Sequence, residues 1–204
     1  MNDESALVYI VDDDDAVRDS LGLLMRSVGL ACATFASARQ FLDAYDPEAV
    51  SCLVADIRMP GLSGLELQQE ISDRHLEIPI IFITGHGDVP MAVKAMKAGA
   101  LDFLQKPFRD QDLLDRIHAA IQRDRDRRTL RREIQSIRER LETLTPRETE
   151  VMEKVVQGCA NKVIAMDLGV SQRTVELHRA RVMHKMDVRS LAELVHLTSK
   201  VAGD

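Results

Sequence analysis

Leu7-Val8-Tyr9-Ile10-Val11-Asp12-Asp13-Asp14-Asp15 is an apolar run that stops abruptly at four carboxylates. Such a run reads as a buried β-strand that delivers acidic groups at its carboxyl end. The pattern returns along the chain. Cys52-Leu53-Val54-Ala55 leads into Asp56, Ile80-Ile81-Phe82-Ile83 into Thr84, and Leu101-Asp102-Phe103-Leu104 toward Lys106. In an open α/β sheet the carboxyl ends of the strands face one crevice, where ligands bind. The four runs would therefore bring three carboxylates (Asp12, Asp13, Asp56), a hydroxyl and an ammonium to one place. That set suits a divalent cation and a transferred phosphoryl group. A carboxylate is a nucleophile able to form an aspartyl phosphate. The transfer needs positive charge at the equatorial oxygens, which a metal ion and a lysine supply. Magnesium in particular accepts few carboxylates, keeps several waters and takes the phosphate itself as a ligand.

Outward from these runs, residues 1–121 alternate strand and helix signals. Short apolar stretches fall at 7–11, 31–35, 51–55, 79–83 and 100–104. Between them lie helical patterns, such as Val17, Leu21, Leu24 and Val28 on one face. Pro90 reads as an early helix residue and Gly99 as a stop. Five such βα units predict a parallel, doubly wound sheet with helices on both faces. Residues 111–144 carry no Gly or Pro and read as one long helix. Leu130, Ile134, Ile137, Leu141 and Leu144 repeat at heptad spacing, a seam suited either to packing within the chain or to self-association. Thr145-Pro146 with Glu148 forms a capping-box start. Short helices then follow at about 146–157, 161–168, 172–186 and 190–200. The expected organisation is an α/β domain at 1–121, a helical linker at 122–144 and a small all-α domain at 145–204.

The net charge of −6 conceals an asymmetry. Residues 1–121 hold 10 Lys and Arg against 20 Asp and Glu, whereas 122–145 hold 8 against 5 and 146–204 hold 9 against 8. An acidic first half and a mildly basic second half suggest different partners for the two domains. No apolar stretch reaches the roughly 18 residues of a membrane span, and no membrane partner is expected. The acidic N-terminus lacks a signal-peptide pattern, so a cytoplasmic location is expected. Cys32, Cys52 and Cys159 are scattered, with no CxxC pair, which argues against a zinc site or disulfide framework. His75, His118, His184 and His196 share no ligand spacing, and His86, in the loop after Thr84, receives no chemical role.

Val11-Asp12-Asp13-Asp14, Asp56-Ile57-Arg58-Met59-Pro60-Gly61 with Gly64, Thr84-Gly85 and Lys106-Pro107-Phe108 together resemble the receiver domain of response regulators. The resemblance implies that Asp56 accepts phosphate from a histidine kinase. It implies Mg²⁺ held by Asp13, Asp56 and the backbone carbonyl of Arg58, with Asp12 acting mainly through water. It further implies a cis Lys106-Pro107 bond and a switch in which Thr84 moves toward the phosphate while Phe103 turns inward. A rival pattern exists, since Asp13-Asp14-Asp15-Ala16-Val17 fits the DxDx(T/V) signature of haloacid-dehalogenase-type phosphatases. In that case Asp13 would be the nucleophile of a turnover enzyme and Asp56 would be unexplained. An EF-hand reading of Asp12-x-Asp14 fails because the loop's glycine and distal glutamate are missing.

In the second half, Asn161–Leu168, Gly169-Val170-Ser171 and Gln172–Met186 read as helix, turn and helix. In such a unit the second helix enters the major groove of DNA. Leu144-Thr145-Pro146-Arg147-Glu148, Asn161-Lys162-Val163-Ile164-Ala165 and Ser171-Gln172-Arg173-Thr174-Val175-Glu176-Leu177-His178-Arg179 resemble the LuxR-type DNA-binding domain. A receiver followed by this domain is similar to the NarL/FixJ family, and Thr84–Val93 resembles its FixJ branch particularly. The resemblance implies a transcriptional activator, not a turnover enzyme, whose phosphorylation is expected to produce a receiver homodimer, to free the DNA-binding domain from a masking contact with the receiver, or both. Its implied partners are a FixL-like oxygen-sensing haem kinase, double-stranded promoter DNA of nitrogen-fixation or microaerobic genes, and RNA polymerase. Glu176, Leu177 and Ala180 match the family's base-reading positions; a glutamate can accept from a cytosine amino group and an apolar side chain can meet a thymine methyl. Lys162, Arg173, Arg179, Arg181 and Lys185 are candidates for phosphate contacts, which position rather than specify. Thr174 and His178 complete the expected interface.

Overall fold

The computed structural model describes residues 6–85 and 89–202; His86 and its two followers lie outside them. Five strands form one sheet in the order β2-β1-β3-β4-β5. They are β1 (Leu7–Val11), β2 (Ala31–Phe35), β3 (Ser51–Asp56), β4 (Ile80–Thr84) and β5 (Asp102–Gln105), all paired in parallel. The strands are nearly continuous apolar runs because a parallel sheet is covered on both faces. Successive residues point to opposite sides. Val8, Ile10, Cys52, Val54, Ile81 and Ile83 pack against helices α1 (Asp15–Ser27) and α5 (Asp110–Glu142), through Leu21, Met25, Leu113 and Ile117. Tyr9, Val11, Leu53, Ala55 and Phe82 face α2 (Ala38–Ala44), α3 (Gly64–Asp73) and α4 (Val89–Lys97), meeting Phe41, Leu67, Ile71 and Ala95. The fifth strand starts two residues later than its apolar run. The Ala100 amide is used to close α4, donating to the Ala95 carbonyl at 3.1 Å.

The sheet order places β1 between β2 and β3, so the chain leaves β1 toward one face and β2 toward the other. At such a reversal the loops part and open a crevice. Register then levels the strand ends: Val11 lies opposite Ala55, Asp56 opposite Ile83, and Thr84 opposite Gln105. Asp12, Asp56, Thr84 and Lys106 therefore arrive at one height.

Helix starts are capped as their sequences demand. Asp14 caps α1 by accepting from the Ala16 and Val17 amides. Ser63 and Glu66 form a capping box on α3. Gly64 is required where α3 meets β3, because a Cβ there would stand 2.3 Å from the Asp56 carbonyl oxygen.

Tertiary contacts divide the chain into two compact units, Met1–Arg127 and Arg128–Asp204. The first includes the early part of α5, which is held by charge as well as apolar packing. Asp124 is fully buried and accepts the Ser51 amide at 3.0 Å, at the start of β3. Arg127 pairs with Asp124 and donates to the Glu77 carbonyl.

The second unit comprises the end of α5 with α6 (Pro146–Val156), α7 (Asn161–Leu168), α8 (Gln172–Lys185) and α9 (Leu191–Ala202). Its core gathers Ile137, Val151, Val155, Ile164, Val175, Val182, Met186 and Leu194. Leu141 and Leu144 pack against that core, and Ile134 is buried. Most of the heptad seam is thus consumed inside the chain, while Leu130 remains half-exposed. Gly169, at φ +65°, ends α7 in the left-handed conformation a glycine adopts cheaply. Ser171 then caps α8. No helix among the described residues is long and apolar enough to cross a membrane.

Replacing Asp124 by Ala leaves the buried Ser51 amide without this acceptor and Arg127 without this carboxylate. The expected cost is about 2 kcal/mol, read as a lower urea midpoint for the full-length chain, with Asp124→Asn less severe because it retains an acceptor.

Candidate functional site

The crevice above β1, β3, β4 and β5 brings the sequence candidates together. Asp12, Asp13 and Asp56 each present a carboxylate oxygen, and the three atoms lie within 4.8 Å of one another. Asp12 is buried, Asp13 exposed and Asp56 between the two. Asp12 is held on both oxygens: the Asp14 amide donates to Oδ1 at 2.9 Å and Lys106 Nζ to Oδ2 at 2.7 Å. Its backbone carbonyl accepts from Arg18 Nη1 at 2.6 Å. Asp56 Oδ1 accepts the Ile57 amide at 2.8 Å. Lys106 is followed by a cis bond to Pro107, as the resemblance implied. Its own amide donates to the Thr84 carbonyl at 2.8 Å, tying β5 to β4 at the crevice. Thr84 is buried at the end of β4, and Phe103 is half-buried against the core on the α2–α4 face. Arg58 is exposed in the loop after β3.

Electrostatics set Asp56 apart. Its carboxyl is pushed above the ordinary range, chiefly because burial disfavours the charged form; the Lys106 ammonium opposes that shift and the Asp12 carboxylate adds to it. Two carboxylates this close to a third repel, and a cation placed among them would relieve the repulsion.

In the second unit α8 presents Arg173, Glu176, Leu177, Ala180 and Arg181 to solvent, with Leu177 51% exposed. Lys162 is exposed on α7. Thr174 is partly turned inward, its hydroxyl 2.8 Å from the Ser171 hydroxyl, and His178 is half-buried. Arg179 Nη1 donates to the Asn161 side chain at 2.7 Å, bracing α8 against the start of α7. Lys185 has work inside the unit: Nζ donates to Glu148 at 2.7 Å and to the Thr143 carbonyl at 2.8 Å. Glu148 is almost fully buried, and the Lys185 ammonium with the Thr145 amide pulls its carboxyl down to about 2. The capping box at Thr145 and Glu148 was legible in the sequence; its lysine partner, 37 residues on, was not.

Comparison with known proteins agrees with both halves. Residues 8–118 match the family described as response regulator receiver domain, and residues 142–198 match bacterial regulatory proteins of the luxR family. Nodulation protein W of Bradyrhizobium diazoefficiens is 52% identical over 95% of this chain and 85% of its own length. The transcriptional regulatory protein FixJ of Azorhizobium caulinodans is 48% identical over 95% and 92%. The solved structure of response regulator StyR superposes with a TM-score of 0.88 at 47% identity, covering 96% of this chain and 99% of that one.

The chain is a response regulator of the NarL/FixJ family. A receiver joined to a luxR-type domain makes this response regulator a phosphorylation-dependent transcriptional regulator, whose partners are a sensor kinase and DNA. Like its relatives it is a switch rather than a turnover enzyme, so the phosphatase reading of Asp13 falls away.

Two measurements test the electrostatics of this response regulator. The raised Asp56 carboxyl means that ionisation costs more in the folded than in the unfolded state, so above the unfolded value the charge destabilises. Asp56→Asn removes that cost, and its midpoint of thermal unfolding in EDTA at pH 7 should exceed that of the wild type, the two converging as pH falls through the carboxylate range. Glu148 works with the opposite sign. Its folded value of about 2 lies below the ordinary 4.5, so its contribution is present above 4.5 and is lost as pH falls toward 2. Thermal scans between pH 5 and 2 should show the second unit weakening, and Glu148→Gln should flatten that dependence.

Proposed function

We propose that Asp56 is the phosphoacceptor and that Mg²⁺ is the cation of the crevice. The observation that carries the proposal is the convergence of Asp12, Asp13 and Asp56 within 4.8 Å, with Lys106 hydrogen-bonded to one of them. Three hard oxygen donors, one of them exposed to water, fit a small divalent ion that keeps part of its hydration shell. Asp13, Asp56 and the Arg58 carbonyl would hold it, with Asp12 acting through water; the bound ion supplies charge neutralisation for the incoming phosphoryl group. An Asp56 carboxylate oxygen attacks the phosphorus of the kinase's phosphohistidine. The O–P bond forms, the N–P bond breaks, and the histidine nitrogen leaves with its electron pair. Lys106, beside Asp12, meets one phosphoryl oxygen, and the Thr84 hydroxyl donates to another once it has moved toward the phosphate.

Residues 1–121 serve as the receiver, 122–144 as the linker and 145–204 as the output domain. Phosphorylation draws Thr84 toward the phosphate and Phe103 inward, remodelling the face formed by α4 and β5. There Val89, Val93 and Met96 are 76%, 45% and 44% exposed and occupy one side of α4. Pairing of two such faces would create a homodimer that presents two output domains to a two-fold site. In the output domain Glu176, Leu177 and Ala180 read base edges. Lys162, Arg173 and Arg181, with Thr174, His178 and Arg179 beside them, follow the phosphates. Lys185 is better assigned to holding Glu148 than to DNA. The names of the transcriptional regulatory protein FixJ and of nodulation protein W support nitrogen-fixation or nodulation promoters; a FixL-like kinase, recruitment of RNA polymerase and a cytoplasmic site of action follow from the resemblance to the FixJ branch.

Sedimentation velocity with Mg²⁺ and a small phosphodonor, paired with a phosphate-affinity gel and titration of promoter DNA, tests the reading. Wild type should gain one hydroxylamine-labile phosphate, double in mass and bind DNA more tightly, and Asp56→Asn should do none of these. Full phosphate uptake by Asp56→Asn would move the acceptor elsewhere; uptake by wild type at constant mass would exclude dimerisation as the output.

A further inference from the structure

Arg18 lies in α1 and belongs to none of the strand-end positions, yet it reaches back to the end of β1. Its side chain is only 14% exposed. One nitrogen donates to the Asp12 backbone carbonyl at 2.6 Å, and another pairs with the exposed carboxylate of Asp15. The carbonyl it grips belongs to the peptide that joins Asp12 to Asp13. A peptide group is planar, so anchoring its oxygen restrains rotation of the whole plane and narrows the directions in which the Asp13 side chain can leave the backbone. Asp12 itself is already fixed at both carboxylate oxygens by the Asp14 amide and Lys106. Asp13 is the exposed member of the trio, and the guanidinium beneath its preceding peptide supplies the orientation that burial does not.

We infer that Arg18 is a positioning residue for the cation site: it aligns the Asp12–Asp13 peptide so that the Asp13 carboxylate is aimed at the metal before the metal binds. Conformational freedom removed in advance need not be lost on binding, and side chains that orient ligands from behind typically account for 10- to 100-fold in metal affinity. The inference rests on the reading of Asp12, Asp13 and Asp56 as a Mg²⁺ site.

The sign of the effect separates positioning from plain electrostatics. Asp12 to Asp15 and Asp56 are five carboxylates, facing Lys106 and Arg18. If Arg18 acted only as a counter-charge, its removal would make the crevice more negative and tighten Mg²⁺ binding. If it acts by alignment, removal loosens binding in spite of the more favourable field.

Calorimetric titration of MgCl2 into the full-length, unphosphorylated protein at fixed ionic strength decides between them. Arg18→Met keeps the apolar stem without the donors, and Arg18→Lys keeps a charge and one possible donor. The expected result is a Kd for Mg²⁺ raised roughly tenfold in Arg18→Met and less in Arg18→Lys, with thermal midpoints in EDTA close to wild type. An unchanged or tighter Kd in both variants overturns the inference while leaving the metal site standing. If Arg18→Met fails to fold, the Kd of Arg18→Lys decides alone, an increase supporting alignment. Absence of Mg²⁺ binding by the wild type removes the metal site itself, and the role of Arg18 with it.

Discussion

Ionised carboxylates gathered at one crevice repel one another, and the receiver is built to hold them there. Neighbouring positive groups are the main offset a protein can supply in a partly buried site. Lys106 meets Asp12, Arg18 meets the Asp12 carbonyl and Asp15, and Asp14 is spent on the first turn of α1, where the helix dipole welcomes an anion. Asp56 is not fully relieved by these arrangements, since its carboxyl stays raised even with Lys106 nearby. A site of this kind is poised: whatever positive charge enters it is bound partly by the repulsion it removes.

That concentration of charge is possible only because the strand ends are level. Parallel pairing of β1 with β3, β3 with β4 and β4 with β5 brings Asp12, Asp56, Thr84 and Lys106 to one edge from positions up to 94 residues apart. Gly64 lets α3 begin against the Asp56 carbonyl without pushing the strand away. The fully buried apolar faces on either side of the sheet keep the edge from shifting, so the geometry of the crevice is a product of packing far below it.

The strands, the crevice and the helix-turn-helix were legible because each is written locally. A short continuous apolar run reveals a strand, a capping threonine before a proline reveals a helix start, and the residue that ends a run reveals its place at the crevice. What escaped reading depends on partners distant in the chain. Nothing around Asp124 announces that it meets the Ser51 amide, 73 residues earlier. Lys185 reads as one more basic residue of a recognition helix until Glu148 is found beneath it. The heptad seam from Leu130 to Leu144 has the period of a coiled coil, and periodicity alone does not say which surface a seam meets; Ile137, Leu141 and Leu144 meet the output core. Arg18 carries no signal in the sequence, because a side chain folding back to a carbonyl six residues earlier leaves no periodic trace.

Helix α5 is where the two halves share a physical element. Leu113, Leu114, Ile117 and Ile121 belong to the receiver core and Ile137 to the output core, within one helix of 33 residues that contains neither glycine nor proline. The receiver end is further held by Asp124 and Arg127, and the carboxylate of Asp124 rests on the first residue of β3, the strand whose last residue is Asp56. A modification can shift an equilibrium only by stabilising one state more than the other. No glycine or proline interrupts the hydrogen bonds of this helix. Within the receiver, the stretch of α5 around Asp124 and the strand that ends in Asp56 are therefore tied together, so a shift of β3 at the crevice is opposed at its other end by the Asp124 hydrogen bond.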